Sequence, residues 1–411
     1  MNRRSFFQTA ALGSAVTLAT PPRLVAAVPG ARAALGSVKI TDVKTAAIDI
    51  GYKTHLVKVT TDAGLSGLGE AYPKAEVADD IHAVKNMVIG QDPLHVEYLH
   101  HRMVDQYMSR GARAGGLCGA IGGIETALWD LAGKILGVPV YVLLGGAYRD
   151  RVMLYNDTDK PKVDEPKAWA AEAVRSRELG YKAVKHSLQR LDGPKNGTIT
   201  LKTARHWTRI LEETRTALGP EFPLGIDLHW RFALGDVLRF TEMIAGLNIW
   251  FLEDPLQPEN ADAFARLRAE CRVPILTGEN LYAREGFRPF IEKQACDLVH
   301  PDPQKCGGLL ETKKIADWAD LYSMPMLCHN GATPVGTVAS AHACTAIKSF
   351  VALEVDTIEG GRTPHWKHLI QWDGRFQQDG HLVLSRRPGL GLELDEAVCR
   401  KHLADQRGFF Q

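Results

Sequence analysis

Short apolar runs alternate with longer amphipathic stretches through the second half of the chain. The runs read VMLY, YKAVK, LGID, IWFLED, PILTGE, CDLVHPD, MPMLCHN and FVALEVD, and the segments between them have apolar residues at helical spacing. Strands that alternate with helices predict parallel βαβ units, and eight of them within about 200 residues fit a (β/α) barrel. We therefore predict an α/β fold with a barrel over residues 151–361.

The first half of the chain has a different pattern. Residues 38–72 read as strands joined by DAG and GLG turns, which predicts a small antiparallel sheet. Residues from about 78 to 147 are amphipathic, notably AIGGIETALWDLAGKILG, where Gly137 and the following Val-Pro end the run. We predict an α+β domain over residues 36–150, and residues 362–411 are expected to return and pack on it.

The N-terminus resembles an export signal. Arg3 and Arg4 precede Phe6 and Phe7, a weakly apolar stretch follows, and small residues lead to a plausible cleavage point after Ala27. The paired arginines are typical of twin-arginine export, which predicts a periplasmic location for the mature protein. The apolar stretch is too short to span a bilayer permanently. The alternative for residues 1–35 is a disordered tail with a chance arginine pair.

Charge and cysteine content narrow the partners. The 411 residues include 49 basic and 48 acidic ones, for a net charge of +1, and no long run has a single sign. This balance argues against a nucleic acid or a membrane surface as partner and favours a small molecule. Seven scattered cysteines without CxxC spacing argue against a disulfide framework and a thiolate zinc site.

Ionisable or polar residues recur at seven consecutive predicted strand ends, where the chemistry of a (β/α) barrel is located. One such residue could cap the next helix, but capping does not explain seven in succession. In chain order they are Lys185 and Ser187, Asp227 and His229, Glu253, Glu279, Asp302, His329 and Glu354.

The stretch GIDLHWRF, residues 225–232, contains three of the polar positions of interest. If the strand continues through it, Asp227, His229 and Arg231 point to one face, because side chains on a strand alternate. That face is then polar and belongs either to a site or to a solvated sheet edge.

Three neighbouring strand ends offer one carboxylate each. Asp227, Glu253 and Glu279 form an all-oxygen set, which suits Mg²⁺ because this ion binds few carboxylates and leaves positions for water and substrate oxygens. Without a cation the three acids would repel one another. The alternative is that they pair with arginines at the barrel rim.

Asp302 and His329 also lie on neighbouring strands. Paired, Asp302 would orient the imidazole and raise its basicity, as a general base requires; unpaired, they are a helix cap and an unrelated loop histidine. Lys185 could stabilise negative charge developing on a substrate carboxylate, and a protonated Glu354 could hydrogen-bond its other side. The implied reaction is proton abstraction next to a carboxylate, through an enolate.

These motifs in this order resemble the enolase superfamily and, within it, the mandelate racemase group. The matching segments cover nearly the whole mature chain: GLGEAY, IGGIETALWDLAGKILGVPVYVLLGG, VKHS, GIDLHWRF, FLEDP, LTGEN, DLVHPDPQKCGG, CHN and LEVD. The resemblance implies a (β/α)7β barrel with a capping domain, one Mg²⁺ per subunit on Asp227, Glu253 and Glu279, and a His329–Asp302 base. It also implies a homo-oligomer, a dimer or an octamer.

Two details separate subgroups. The racemases have KxK after the second barrel strand, whereas this chain has Lys185-His186-Ser187, which argues against a two-base racemisation. DLHWR resembles the DxHxR of acid-sugar dehydratases such as galactonate dehydratase, which implies that His229 is the general acid and that Arg231 holds the site together.

The resemblance also places specificity loops in the capping domain, at 49–55 and 72–80. The polar residues of these loops either contact a polyhydroxylated substrate or are polar because they lie at the protein surface, and the two explanations fit equally well. The candidates are Tyr52, Lys53, His55, Tyr72 and Lys74 from these loops, with Asn156, Asp157 and Ser187 from the barrel.

We therefore expect a magnesium-dependent acid-sugar dehydratase, a carbon–oxygen lyase. His329 would take the C2 proton and His229 would assist loss of the 3-hydroxyl, giving a 2-keto-3-deoxy acid. The alternatives are an epimerase, racemase or cycloisomerase acting through the same enolate, with Lys185 or solvent returning the proton. A non-catalytic exported protein that binds sugar acids is the alternative outside enzymes.

Overall fold

The structure is a computed structural model that describes residues 38–72, 77–188, 197–372 and 375–411. The predicted export signal and the predicted contact residue Lys74 lie outside these described residues. Within the described ranges, no helix is both long and apolar enough to cross a membrane.

Eight parallel strands form a closed barrel, because the last strand pairs with the first in the register Leu353 to Leu154. All eight predicted strands are present, and the predicted fold class is confirmed. The strands are β4 (Val152–Asp157), β5 (Val184–Ser187), β6 (Leu224–Asp227), β7 (Phe251–Glu253), β8 (Ile275–Thr277), β9 (Leu298–Val299), β10 (Met326–Cys328) and β11 (Phe350–Asp356).

Helices connect successive barrel strands and give the (β/α)7β order. They are α5 (Pro166–Glu178), α6 (Leu201–Leu218), α7 (Leu234–Ile244), α8 (Ala261–Glu270), α9 (Ala283–Glu292), α11 (Leu309–Leu321) and α12 (Pro334–Thr345), with the short α10 (Pro303–Cys306) before α11. Local sequence explains their ends. In α6, for example, the Thr200 side chain accepts a hydrogen bond from the Thr203 backbone, and Gly219 follows the last turn.

The capping domain packs one long helix on a three-stranded antiparallel sheet. The sheet contains β1 (Ile40–Asp49), β2 (Lys53–Thr61) and β3 (Ser66–Ala71); the helices are α1 (Val77–Val84), α2 (Val96–Gln106), α3 (Gly115–Leu136) and α4 (Val140–Leu143). Glycines allow α3 to approach β3. A Cβ on Gly69 would lie 2.3 Å from the Gly123 carbonyl oxygen, so the GLG and IGG motifs are required by this contact.

Two buried acids on α3 join the capping domain to the rest of the chain. Glu125 accepts hydrogen bonds from the backbone of Leu309 at 2.9 Å and Leu310 at 3.0 Å, and so caps the N-terminus of α11. Asp130 accepts from the backbone of Leu68 and Leu390, each at 2.7 Å. These two acids within a largely apolar helix therefore connect the capping domain to α11 and to the C-terminal segment.

The segment after β11 contacts both the barrel and the capping sheet. It contains β12 (Ile370–Gln371), β13 (His381–Leu382), β14 (Glu393–Leu394) and α13 (Glu396–Lys401). β13 pairs antiparallel with β4. Further on, the Ala404 backbone donates to Ala47 in β1 at 2.9 Å. The domain boundaries at 36, 151 and 362 stay predictions.

Removing the Glu125 carboxylate should destabilise the protein more than removing an exposed acid. Glu125→Ala leaves buried backbone donors without an acceptor, and we expect the free energy of unfolding to fall by about 2–4 kcal/mol. Glu97→Ala is the control, because Glu97 also pairs with α11, through Lys314, but its side chain is 54% exposed. We expect a loss below about 1 kcal/mol there. Equal losses in urea unfolding would contradict the capping role.

Candidate active site

One apolar layer closes the barrel interior, and the candidate site lies directly above it. The layer consists of Tyr155, Ala183, Phe251, Leu276, Leu298, Leu327 and Ala352. Side chains alternate along a strand, so residues two positions further on face the same interior. At six of the seven positions these residues are polar: Asp157, Lys185, Glu253, His300, His329 and Glu354.

Lys185 lies at the centre of the site. Its Nζ is 2.6 Å from Glu354 Oε1, 2.9 Å from Glu253 Oε2 and 3.9 Å from Asp227 Oδ2. Burial lowers the pKa of Lys185, but Glu253 and Glu354 outweigh it and raise the pKa well above its ordinary value. The ammonium therefore stays charged and holds the surrounding carboxylates together.

His329 and Asp302 are brought together. His329 Nδ1 is 2.7 Å from Asp302 Oδ2, while Asp302 Oδ1 accepts from the Gln304 backbone at 2.8 Å as the N-cap of α10. Asp302 is thus fixed on one side and orients the imidazole on the other. The second ring nitrogen, Nε2, is 2.5 Å from Glu279 Oε2 and faces the site.

The prediction that the strand continues beyond Asp227 with alternating side chains is wrong, because His229 reaches the site by a turn. β6 ends at Asp227, and His229 and Trp230 have φ of 49° and 50°. The neighbouring β7 ends at Glu253, and beyond Asp227 the backbone of Leu228 donates to the Glu253 carbonyl and that of Trp230 to the Asp254 carbonyl. The turn brings His229 Nδ1 to 2.7 Å from Asp227 Oδ2. Arg231 lies exposed beyond it, without a hydrogen bond or ion pair to the described residues.

Two carboxylate sets could hold a divalent cation. Asp227, Glu253 and Glu279 are all buried at the ends of adjacent strands. Glu253 Oε2 makes no hydrogen bond despite its proximity to Lys185, and burial raises the pKa of this carboxyl group. A buried carboxylate oxygen that accepts no hydrogen bond is suited to bind a cation.

The second set is Glu253, His300 and Glu354, whose ligand atoms lie within 4.8 Å of one another. Lys185 Nζ lies within 2.9 Å of both carboxylates of this set, whereas in the first set only Glu253 is that close and Asp227 is 3.9 Å away, so a cation on the second set would face the ammonium more closely. Glu279 in the first set lies farther from Lys185 and is already ionised: burial raises its pKa, but Lys305 and His329 hold it well below the ordinary value. The first set is the better site for a hard divalent cation.

Sequence reasoning missed three residues that contact the site. His300 Nδ1 is 3.3 Å from Glu253, and its Nε2 is 3.4 Å from Glu354. Tyr155 donates to Glu354 at 2.7 Å. Lys305 Nζ is 3.5 Å from Glu279. His300 could have been found, because it lies two residues before Asp302 and follows the apolar Leu298 at strand spacing.

Two predictions need correction. Asn156 was expected to contact substrate, but it points to the helix layer, where its side chain accepts from Ser176 at 2.6 Å and donates to the Val355 carbonyl at 3.1 Å. Strand alternation explains this, since its neighbour Tyr155 faces the interior. Glu354 was expected to be protonated. Burial raises its pKa, but Lys185, His329 and His300 hold the pKa well below the ordinary value, so it is ionised.

Among the other predicted substrate contacts, Lys53 pairs with Asp405 at 2.7 Å and His55 is fully buried, whereas Ser187, Tyr52 and Tyr72 lie close to residues of the site. Ser187 donates to Asp157 at 3.1 Å and lies 3.4 Å from Asp227. The Tyr52 hydroxyl lies against Gly331, the second residue after His329, and a Cβ added there would be 3.3 Å away. The Tyr72 ring covers the Lys305 ammonium, 4.5 Å from its centroid.

Comparison with known proteins agrees with this architecture. Residues 37–145 match the mandelate racemase / muconate lactonizing enzyme N-terminal domain, and residues 168–398 match the enolase C-terminal domain-like family. The chain is 37% identical to a D-xylonate dehydratase of Haloferax volcanii over 92% of each chain. It is 30% identical to a D-galactonate dehydratase of Xanthomonas euvesicatoria, over 84% of this chain and 90% of that protein.

A solved structure is also similar. The mandelate racemase/muconate lactonizing enzyme-like protein of Rubrobacter xylanophilus superposes with a TM-score of 0.87 at 38% identity, covering 92% of this chain and all of that one. Both domains of the chain are accounted for by these matches. The protein belongs to the mandelate racemase/muconate lactonizing enzyme family of the enolase superfamily.

Proposed function

We propose that the protein is an acid-sugar dehydratase, a carbon–oxygen lyase that removes water from a sugar acid to give a 2-keto-3-deoxy acid. The observation that carries the proposal is the pair of half-buried histidines, His329 and His229, each bound to a different buried carboxylate. Elimination needs both a base and an acid, and this arrangement supplies two proton carriers. The dehydratase names of the relatives support the same reaction class.

His329 acts as the base in this proposal. Asp302 holds its Nδ1, so Nε2, 2.5 Å from Glu279 Oε2, is the nitrogen that faces the site, and a cation bound to Glu279 would leave its lone pair to accept a proton. That nitrogen takes the C2 proton of the bound acid, and the electrons move into the substrate carboxylate. Lys185 lies among the carboxylates at the site centre and stabilises the charge that develops.

His229 acts as the acid. Asp227 holds and orients the ring through Nδ1, and Nε2 is the nitrogen that protonates the departing 3-hydroxyl. Loss of water and tautomerisation of the enol then give the 2-keto-3-deoxy acid. The residues Tyr52, Tyr72, Asp157 and Ser187 line the space in which the remaining hydroxyls would be bound.

Mg²⁺ is the proposed cofactor, held by Asp227, Glu253 and Glu279. When bound, it would supply positive charge that makes the proton next to the substrate carboxylate more acidic. The buried and incompletely bonded Glu253 supports a cation at this point.

The direct test is product analysis with a panel of sugar acids. We expect the mature protein with Mg²⁺ to convert at least one aldonate, with D-xylonate and D-galactonate tried first, to a 2-keto-3-deoxy acid. NMR in heavy water identifies the product. Deuterium at C2 without loss of the hydroxyl would instead favour an epimerase or racemase, and a rearranged product without an α-keto group would favour a cycloisomerase.

Substituting each histidine should separate the two proton transfers. We expect His329→Asn to lower both C2 exchange and dehydration by about 10²–10⁴-fold. His229→Asn should lower dehydration to a similar extent but leave C2 exchange measurable, because the base is intact. If His229→Asn dehydrates at the wild-type rate, His229 is not the acid.

Metal titration should distinguish the two possible carboxylate sets. Glu279 belongs to the proposed set alone, so Glu279→Gln should weaken Mg²⁺ binding at least about tenfold in calorimetry. Glu354→Gln is the matched control, and we expect a change below about threefold, since Glu354 belongs to the set that contains His300. The reverse result would place the ion on Glu253, His300 and Glu354.

A further inference from the structure

The loop between β10 and α12, residues 329–333 and called the base loop below, carries His329 at its start. The His329 side chain contacts the carboxylates of Asp302 and Glu279. Its position relative to them depends on how the loop backbone is fixed. Barrel and C-terminal residues hold part of the loop: Asn330 donates to the Glu354 carbonyl at 3.1 Å, and Trp366 donates to the Ala332 carbonyl at 2.8 Å.

In the capping domain, Glu70 on β3 holds the far end of the base loop. Its Oε1 accepts from the Thr333 backbone at 2.9 Å and from the Thr54 hydroxyl at 2.7 Å. Its Oε2 accepts from the Gly336 backbone at 2.9 Å and from the Thr333 hydroxyl. Glu70 thus caps α12 from a different domain.

The physical chemistry of this contact makes it rigid. Glu70 is 1% exposed. A buried carboxylate is tolerated when it is fully hydrogen-bonded, and the N-terminus of a helix provides backbone donors and a favourable dipole. A Cβ on Gly336 would lie 2.8 Å from Glu70 Oε2, so the glycine is what permits the approach. The hydrogen bonds from Thr333 and Gly336 to Glu70 therefore fix the end of the loop relative to the capping sheet.

We propose that Glu70 is a positioning residue for catalysis, which fixes the base loop through Thr333 and so holds His329 where proton transfer requires it. The inference rests on the proposed role of His329 as the base. It assigns to the GLGEAY motif a function in the reaction in addition to its place in the fold.

Glu125 provides a matched comparison within the same domain. It is also a buried capping-domain carboxylate at the N-terminus of a barrel helix, with backbone donors at 2.9 and 3.0 Å. The helix it caps, α11, follows α10 and does not carry the base loop. Loss of either carboxylate should cost stability, but loss of Glu70 alone should displace the base.

The test compares Glu70→Gln with Glu125→Gln. The amide nitrogen of glutamine would face a backbone N–H in either variant, so both should unfold at a lower temperature. For Glu70→Gln we expect kcat and C2 exchange in heavy water to fall about 10–100-fold, with KM and Mg²⁺ affinity within about threefold. For Glu125→Gln we expect kcat within about twofold. Equal kcat values in the two variants would overturn the proposal.

A second variant tests the same contact by changing its barrel residue, Thr333. Thr333→Val keeps the size of the side chain and the backbone donor but removes the hydroxyl that donates to Glu70. We expect a smaller fall in kcat with unchanged KM. In the double variant with Glu70→Gln, the fold-decrease in kcat should be smaller than the product of the two single fold-decreases. If Glu70→Gln does not fold, Thr333→Val decides alone, and unchanged kcat overturns the proposal.

Crystal structures of the variants separate this inference from the proposed function. In Glu70→Gln we expect the base loop to shift and His329 Nδ1 to move out of hydrogen-bond distance of Asp302, while Glu125→Gln keeps the wild-type distance. A base loop that does not move overturns the positioning role. If the wild-type protein turns over no sugar acid, the proposed function fails, and this structural comparison still decides whether Glu70 positions the loop.

Discussion

Seven carboxyl groups share the buried end of one barrel, and their mutual repulsion is the constraint on which the site depends. They are Asp157, Asp227, Glu253, Asp254, Glu279, Asp302 and Glu354. Two buried lysines, Lys185 and Lys305, and the histidines 229, 300 and 329 compensate them, yet negative charge remains in excess even with every histidine protonated. Burial and Glu279 raise the pKa of Asp254 to about 7, which shows how crowded the charges are. A divalent cation is the natural complement of such a site.

The capping domain contributes to this arrangement through charge as well as shape. Its buried acids meet the N-termini of barrel helices, Glu125 at α11 and Glu70 at α12. Both lie in motifs whose glycines permit close approach, so the glycines and the acids act together. The domain that covers the mouth is thereby attached to the two helices that follow the strands carrying Asp302 and His329.

Much of the site can be predicted by counting residues along the strands. The eight apolar runs predict the barrel, and the two-residue repeat above the apolar layer predicts Lys185, Glu253 and Glu354. The same rule applied from Tyr155 keeps Asp157, which was predicted, and would have excluded Asn156. What counting cannot give is the turn after Asp227, because that depends on where the neighbouring strand ends. The ionisation of Glu354 was equally inaccessible, since it depends on Lys185, His300 and His329, which come from three other strands.

The racemases have a second lysine where this chain has Ser187, and the surroundings of Ser187 show what takes the place of that lysine. Ser187 and His229 both contact the same oxygen of Asp227, at 3.4 and 2.7 Å. A lysine at position 187 would place a second ammonium beside Asp227, where His229 already lies. In the proposed mechanism the proton carrier on this side of the site is His229, from the turn after β6, instead of a residue of β5. An imidazole oriented by a carboxylate suits protonation of a leaving hydroxyl, which is the step that distinguishes elimination from racemisation.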